Sequence, residues 1–299
     1  MRISIVGGLA VYVLAGCVGQ GPADVTTTFR DSAGVTIAET SSLSQAELTP
    51  WALSPEPLTT IGSYDGPEES QLFRVRGALV LPDGRIAVGN SGTGEIRIFD
   101  ADGRFLHSLG GEGEGPGEFS YLALVGLTGD SLVAVDRRLR RISLVHPDQG
   151  FVRSFYPEEA VAGYLLGTWL FEDGTLLVRD IPLDEGALAD GFHRDPEPFR
   201  TCDLDGNLLS DLGTLPGPEA VIVTRRTEHG IATLMQSVPF GRGPQVAVGG
   251  NRMYFSSQDS FQISAFGSDG RLLRLIRVDR DPIPVTDDHL SAFIEGEIR

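Results

Sequence analysis

Short apolar runs separated by turn sequences dominate the hydrophobic pattern of this chain. Within residues 77–119 there are four such runs, at residues 78–81, 86–88, 96–99 and 105–109. Pro-Asp-Gly, a Gly/Ser/Thr cluster and Ala-Asp-Gly separate them. Short runs rich in β-branched residues, joined by Asp-Gly turns, are typical of antiparallel hairpins. The stretch therefore predicts one unit of four antiparallel strands.

The same pattern returns along the chain at a regular interval. Further units cover residues 122–156, 165–213 and 245–278, and a partial unit covers residues 25–62. The first turns of three units, at Asp83, Gly129 and Asp173, are about 45 residues apart, which is the period of a four-stranded propeller blade. Insertions at residues 181–198 and 216–239 lengthen the later units, and a propeller accommodates such insertions as loops on its faces.

The last residues change from a strand pattern to a helical one. Thr286 is a predicted N-cap, and the charges of Asp287 and Asp288 favour the first turn of a helix. The apolar residues that share one helical face are Leu290, Phe293, Ile294 and Ile298. We therefore predict a short terminal helix.

One unit carries a family resemblance. Residues 96–106 read Ile-Arg-Ile-Phe-Asp-Ala-Asp-Gly-Arg-Phe-Leu, and they are followed by Gly110 and by Gly-Pro-Gly-Glu-Phe at residues 115–119. These residues resemble the NHL-like six-bladed β-propellers, most closely the bacterial lipoprotein branch. The resemblance covers residues 31–286 and implies an all-β, six-bladed-type β-propeller of four-stranded antiparallel blades. Because that family closes its ring with a further C-terminal blade, we expect this sequence to stop in a helical insertion before the last blade; a five-bladed ring is the alternative.

The charge balance excludes one class of partner. The 299 residues carry a formal net charge of −17, and all 24 basic residues are arginine. Non-specific nucleic-acid binding needs cationic contacts to phosphates, and membrane surfaces attract polybasic patches. We therefore expect no nucleic-acid partner. The partner that we expect is a protein, a small molecule or a carbohydrate, and the oligomeric state that we expect is a monomer.

The N-terminus has the pattern of an export signal. An arginine precedes an apolar run that is too short to span a bilayer and that ends in Leu14-Ala15-Gly16-Cys17. This tetrapeptide resembles a bacterial lipobox, which implies that Cys17 becomes the lipidated mature N-terminus and that its acyl chains embed in a membrane. A plain secretory signal is the alternative.

These features divide the chain into three parts. Residues 1–17 are assigned to the signal peptide and lipobox, residues 18–24 to a tether and residues 25–299 to the propeller domain. Val18 follows the cysteine, where an Asp would indicate retention at the inner membrane. We therefore expect secretion across the inner membrane and lipid anchoring in the cell envelope, at the outer membrane, facing the periplasm or the surface.

Cys202 is the only other cysteine. If Cys17 is lipidated, no intramolecular disulfide can form, so the fold must depend on its apolar core. Cys202 lies in a strand-like run, and we predict a buried structural thiol.

The sequence offers few residues for catalysis. It contains no His-Glu-x-x-His, Cys-x-x-Cys, Gly-x-Ser-x-Gly or phosphate-binding loop, and its five histidines lack ligand spacing. We therefore assign no catalytic residue, no metal ligand and no cofactor.

Polar residues recur after the second run of each unit, where the inner strands of a propeller converge on a channel mouth. These channel-mouth candidates are Asn90, Asp136, Asp180 and Ser256. Converging oxygens could hold Ca²⁺ or another hard cation. The alternative is that each side chain caps the following turn, as Asp and Asn commonly do.

Three functions fit these observations. We favour an envelope-anchored module that binds a ligand or a protein. The first alternative is a metal-dependent hydrolase or lyase, similar to the lactonases among related propellers, with its site at the channel mouth. The second is an envelope scaffold whose insertions, at residues 181–198 and 216–239, dock another protein.

Overall fold

The structure, a computed structural model, describes residues 26–41, 52–181, 190–227 and 230–297. The predicted lipobox with Cys17 therefore lies outside the described residues. The first elements are β1 (Thr27–Ser32) and β2 (Val35–Thr40). Ala33 and Gly34 join them with positive φ angles of 54° and 82°, which is the backbone of a tight two-residue hairpin turn.

Four blades, each of four antiparallel strands, make up most of the described chain. Blade 1 contains β3 (Val75–Val80), β4 (Ile86–Asn90), β5 (Glu95–Phe99) and β6 (Phe105–Gly110). Blade 2 contains β7 (Leu122–Thr128), β8 (Ser131–Asp136), β9 (Arg141–His146) and β10 (Gly150–Phe155). The predicted all-β fold of four-stranded antiparallel blades is confirmed.

Insertions interrupt the second half of the chain. Blade 3 begins with β11 (Tyr164–Leu170) and β12 (Leu176–Ile181) and, after an insertion with β13 (Gly191–His193), ends with β14 (Pro196–Cys202) and β15 (Leu208–Pro216). The link to the next blade holds β16 (Ala220–Thr227) and β17 (Gly230–Ser237). Blade 4 contains β18 (Gln245–Gly249), β19 (Arg252–Ser256), β20 (Gln262–Gly267) and β21 (Leu272–Val278).

Apolar side chains between neighbouring blades form the core. The strand β8 shows the arrangement, because all six of its residues are buried. Leu132 and Ala134 contact the cluster shared with blade 1, whereas Val133 and Val135 contact the cluster shared with blade 3. This burial on both faces explains why the strand reads as a nearly continuous apolar run. A third cluster, centred on Phe171, joins blades 3 and 4.

The inner strands β3, β7, β11 and β18 lie side by side in chain order. Gly77 marks the closest approach of β3 to β7. Its φ of +94° lies in the left-handed region, and a Cβ atom there would overlap the carbonyl oxygen of Leu124. A glycine at this position therefore lets two neighbouring blades pack tightly.

The N-terminal hairpin corrects the expectation of a partial blade over residues 25–62. β2 pairs in parallel with β21, so β1 and β2 extend blade 4 into a six-stranded sheet. An outer strand offers unpaired N–H and C=O groups, and the hairpin pairs with those of β21. Residues 59–61 of the predicted partial unit lie against blade 1, where Thr59 Oγ1 donates to the carbonyl of Ala101 at 2.9 Å.

The insertions form a small sheet of their own, in the order β13-β16-β17. Arginines join this sheet to the loop that follows β19. Asp259 in that loop accepts hydrogen bonds from Arg194 and Arg242, both at 2.7 Å, and Arg242 also pairs with Glu219. The hydrogen bonds from Arg194 and Ser257 lower the pKa of Asp259 to about 2.

The terminal helix α1 spans Asp287–Glu297, as predicted. The N–H of His289 donates to Thr286 Oγ1 at 3.4 Å, which confirms Thr286 as the N-cap. Phe293 packs against Phe240, with ring centres 5.8 Å apart, while Ile298 lies outside the described residues. Within the described parts of the chain, no helix is both long enough and apolar enough to cross a membrane.

Cys202 is fully buried in the cluster between blades 2 and 3. Burial raises the pKa of its thiol to about 12, and the nearby Asp203 adds to the shift. The prediction of a buried structural thiol is confirmed.

Candidate functional site

The channel-mouth candidates lie at one end of the blades, where β4, β8, β12 and β19 finish. We call this the upper end. Asn90 is buried there and bonds within blade 1. Its Oδ1 accepts the N–H of Phe73 at 2.6 Å, and its Nδ2 donates to Thr93 Oγ1 at 2.8 Å. Asn90 therefore joins the segment that enters the blade to the turn that follows β4.

Asp136 joins the entering segment of blade 2 to the turn that follows β8, and it uses both of its carboxylate oxygens. Oδ2 accepts the N–H groups of Ser120 and Tyr121 at 2.6 and 3.1 Å. Oδ1 accepts those of Arg138 and Leu139, both at 2.9 Å. A carboxylate offers about four lone-pair directions. Four backbone donors therefore use the hydrogen-bonding capacity of Asp136 in full.

Asp180 and Ser256 complete the set. Asp180 Oδ2 accepts the N–H groups of Ala162 and Gly163 at 2.9 and 3.0 Å, and Oδ1 accepts a hydrogen bond from Arg200 at 3.0 Å. Ser256 Oγ accepts the N–H of Gln258 at 3.4 Å. The contacts with the following turn match the capping alternative. Asn90, Asp136 and Asp180 also bond to the segment that enters their blade. The described residues contain no group of three His, Cys, Asp or Glu side chains that could hold a metal ion.

A set of third-strand arginines, which the sequence analysis did not single out, supports the same segments. Arg97 in β5 donates to the carbonyls of Glu68, Glu69 and Gln71 at 2.9 to 3.0 Å. Arg141 in β9 donates to the carbonyls of Glu114, Gly115 and Glu118 at 2.6 to 3.0 Å. In each case the carbonyls belong to the segment that enters the arginine's own blade.

Arg141 therefore gives a structural reason for the Gly-Pro-Gly-Glu-Phe sequence that carries the family resemblance. This loop turns its carbonyl oxygens toward one buried guanidinium group, and Arg141 is only 5% exposed. Arginine suits the position because its planar fork presents several N–H donors at fixed angles. The signal available in the sequence was an arginine in the third strand of three units, at Arg97, Arg141 and Arg200.

Five other arginines gather at the upper end of blades 1 and 2, and we call them the upper-end arginine cluster: Arg74, Arg76, Arg137, Arg138 and Arg140. The first two lie where β3 begins, and the other three lie in the turn between β8 and β9. None of the five forms an ion pair with a carboxylate of the described residues, although acidic residues outnumber basic ones by 41 to 24 in this chain. Their charges are therefore not neutralised by a carboxylate of the described residues.

Tyr121 holds two members of the cluster in place. The guanidinium carbon of Arg76 lies 4.3 Å from the centre of the Tyr121 ring, and that of Arg137 lies 5.5 Å from it. Arg137 also donates from Nε to the carbonyl of Leu165 in β11, at 3.1 Å. This arrangement joins blades 1, 2 and 3 near their inner strands. Guanidinium groups stack well on aromatic rings, which orders both side chains.

The sequence contained a signal for this cluster that its overall charge concealed. Residues 137–141 read Arg-Arg-Leu-Arg-Arg, in a chain with a net charge of −17. A local run of basic residues within an acidic chain indicates a positive surface. The second signal, Arg-Val-Arg at residues 74–76, lies one blade earlier.

The comparisons with known proteins agree with this architecture. Residues 68–143, which extend from the segment before blade 1 into the third strand of blade 2, match a family model described as a 6-bladed beta-propeller. The chain is a β-propeller. The predicted resemblance to six-bladed propellers is confirmed, while membership of the lipoprotein branch stays a prediction. No curated protein matches the sequence.

Several solved structures resemble the chain at low identity. A putative exported protein from Bacteroides fragilis is 14% identical over 77% of this chain, with a TM-score of 0.44. The chain covers 62% of the length of that protein. A streptogramin B lyase is 14% identical, with 73% of this chain and 72% of the lyase covered and a TM-score of 0.35. Similarity at this level carries no information about function.

Proposed function

We propose that the protein is an envelope-anchored β-propeller that binds a ligand or a partner protein at the upper end of its blades. The observation that carries this proposal is the bonding of Asp136, whose two oxygens accept four backbone N–H groups. Asn90 and Asp180 are likewise bonded within their own blades. The polar residues that a catalytic centre would use thus stabilise the fold, which favours binding over catalysis.

The alternative of a metal-dependent hydrolase or lyase would require these side chains to give up their backbone partners. A carboxylate that binds Ca²⁺ directs its oxygens at the ion at 2.3 to 2.6 Å. Backbone N–H groups left without acceptors at a buried site cost about 1–3 kcal/mol each. Recruiting Asp136 to a metal would therefore destabilise the entry to blade 2.

A thermal-unfolding comparison tests the binding proposal against the metal alternative. The full chain with Cys17→Ser is measured in buffer, with excess EDTA and with added Ca²⁺. We expect the same midpoint in all three conditions, because no bound ion contributes to stability. A midpoint that falls with EDTA and recovers with Ca²⁺ would support the metal-dependent enzyme instead.

The anchor is proposed from Cys17 and from the tether at residues 18–24. Cell fractionation of wild type, Cys17→Ser and the matched control Cys202→Ser tests it. We expect wild type and the Cys202 variant in the envelope fraction, released by detergent and not by salt, because acyl chains embed through the hydrophobic effect. We expect Cys17→Ser in the soluble fraction. A Cys17 variant that still sediments with the envelope would contradict lipid anchoring.

The scaffold alternative is favoured by one observation. On the inserted sheet, Phe192 is 60% exposed and Leu234 is 47% exposed, and the strand register places them on the same face as Val221. An exposed apolar face of this kind is typical of a protein contact. Under this alternative, charged substitutions at Phe192 and Leu234 would abolish a partner interaction that variants of the upper end leave intact.

A further inference from the structure

We propose that Arg76, Arg137 and Tyr121 form a binding site for the oxyanion of a small ligand, a carboxylate or a phosphate group. The proposal rests on the binding function above and names the chemical class of its ligand. Both guanidinium groups contact one ring, Arg76 at 4.3 Å and Arg137 at 5.5 Å from its centre. The two guanidinium groups therefore lie around the same side chain.

The donors of these arginines are largely unused. An arginine carries five N–H donors. Arg137 uses its Nε for the carbonyl of Leu165, and no described residue accepts a hydrogen bond from its two terminal nitrogens. The Nε of Arg76 is buried and has no hydrogen-bond partner among the described residues. The terminal nitrogens of Arg76 and Arg137 are thus not committed to the protein, and they can donate charge-assisted hydrogen bonds to an anionic ligand.

The site is also ordered before a ligand arrives. The N–H of Tyr121 donates to Asp136 Oδ2 at 3.1 Å, and the N–H of Arg137 donates to the carbonyl of Tyr121 at 3.3 Å. The backbone of Tyr121 is therefore held within its own blade, and the two guanidinium groups pack against its ring. Side chains that are already ordered lose less entropy on binding, which raises affinity.

The charge of the surrounding chain favours a small anion over a long polyanion. Arg74, Arg138 and Arg140 raise the local positive potential, whereas the chain as a whole has a charge of −17. A long polyanion would be repelled by the net negative charge of the chain more strongly than a small anion that binds at the arginines. A small anionic molecule thus fits the site better than a nucleic acid does.

Calorimetric titration of the full chain carrying Cys17→Ser tests the inference. The probes are citrate for carboxylates and inorganic phosphate for phosphates, with glucose as the neutral control. We expect at least one anion to bind with one site per chain, more weakly as salt rises, and glucose not to bind. We expect Arg76→Gln and Arg137→Gln each to weaken binding at least tenfold.

Two further variants separate binding from folding. Arg138→Gln combined with Arg140→Gln removes charges whose side chains hold no part of the fold, so we expect native stability and several-fold weaker binding. Arg104→Gln changes an arginine that is 76% exposed in the turn between β5 and β6, and we expect no effect. Equal binding by wild type and the Arg76/Arg137 double variant, binding of a single-stranded oligonucleotide in preference to either small anion, or no anion binding at all would overturn the inference.

The failure of the two proposals can be distinguished. A metal-dependent midpoint in the EDTA experiment contradicts the binding function whatever the titration gives. A metal-independent chain that binds neither citrate nor phosphate contradicts the oxyanion site alone.

Discussion

The carboxylate of Asp136 accepts the backbone N–H of Ser120 at 2.6 Å, across sixteen residues of sequence. This bond joins the end of the second strand of blade 2 to the start of its first strand. Asn90 and Phe73 have the same relationship in blade 1, and Asp180 and Gly163 have it in blade 3. The polar residue that recurs at the upper end therefore makes the same structural hydrogen bond in each of these three blades.

Replacing Asp136 with Asn is expected to destabilise the protein by about 2–4 kcal/mol, because the amide nitrogen would face two N–H donors and leave them unsatisfied. Urea unfolding measures the change. Asp102→Asn is the matched control, since Asp102 lies in an exposed turn with 74% of its side chain accessible, and its effect should stay within about 0.5 kcal/mol. Similar losses for both variants would contradict the structural role of Asp136.

Replacing Arg141 with Met is expected to cost about 2–4 kcal/mol, because three carbonyls lose a charged donor and the buried side chain keeps only its apolar stem. Arg104→Met, at an exposed turn, should change the free energy of unfolding by less than about 0.5 kcal/mol. Arg141→Met with wild-type stability would show that the Gly-Pro-Gly-Glu-Phe loop holds its shape without the guanidinium group.

The thiol of Cys202 is expected not to react with a thiol reagent in the native protein at pH 8. With its pKa raised to about 12, roughly one molecule in ten thousand carries the thiolate at that pH, and the sulfur is buried. Labelling of Cys17→Ser in buffer and in urea measures this. We expect labelling only in urea; fast labelling in buffer would contradict the burial.

The contact between the inserted sheet and blade 4 should depend on the protonation of Asp259. Its pKa is lowered to about 2 by Arg194 and Ser257, so its ionised form stabilises the folded state above the unfolded value of about 3.9. This stabilisation disappears as the pH falls toward 2. Because 42% of the side chain is exposed, the effect should be at most about 1 kcal/mol.

Unfolding of wild type and Asp259→Asn across that range checks the prediction. The free energies should differ above about pH 4 and converge near pH 2. A difference that stays constant with pH would mean that the charge of Asp259 does not hold the sheet.

The blades were predictable from the sequence because their signals are local. An alternating apolar run and an Asp-Gly turn, such as that at Asp83, lie within a few residues of each other. The N-terminal hairpin was not, because Ala38 pairs with Ile276, and no short-range pattern encodes a parallel partner at such a distance. The hairpin was therefore assigned to a partial unit instead of to blade 4.

The polar residues at the upper end were predictable in part, because their positions within the repeat are also a local signal. The recurrence of Asn90, Asp136 and Asp180 was visible at fixed positions, but their partners depend on strand register. The arginine cluster was missed because an overall charge of −17 averages over Arg137 to Arg141. Counting charge over short windows, and noting at which end of a blade each window lies, would have shown the upper-end arginine cluster.

The central claim is that the carboxylates of the upper end hold the backbone, so that arginines are left to bind ligands. Elemental analysis of the full chain with Cys17→Ser, purified without chelator, tests it most directly beside the same chain with Asp136→Asn. We predict substoichiometric Ca²⁺, Mg²⁺ and Zn²⁺ in both. One tightly bound divalent ion per chain, lost in Asp136→Asn, would contradict the account and support a metal-dependent enzyme.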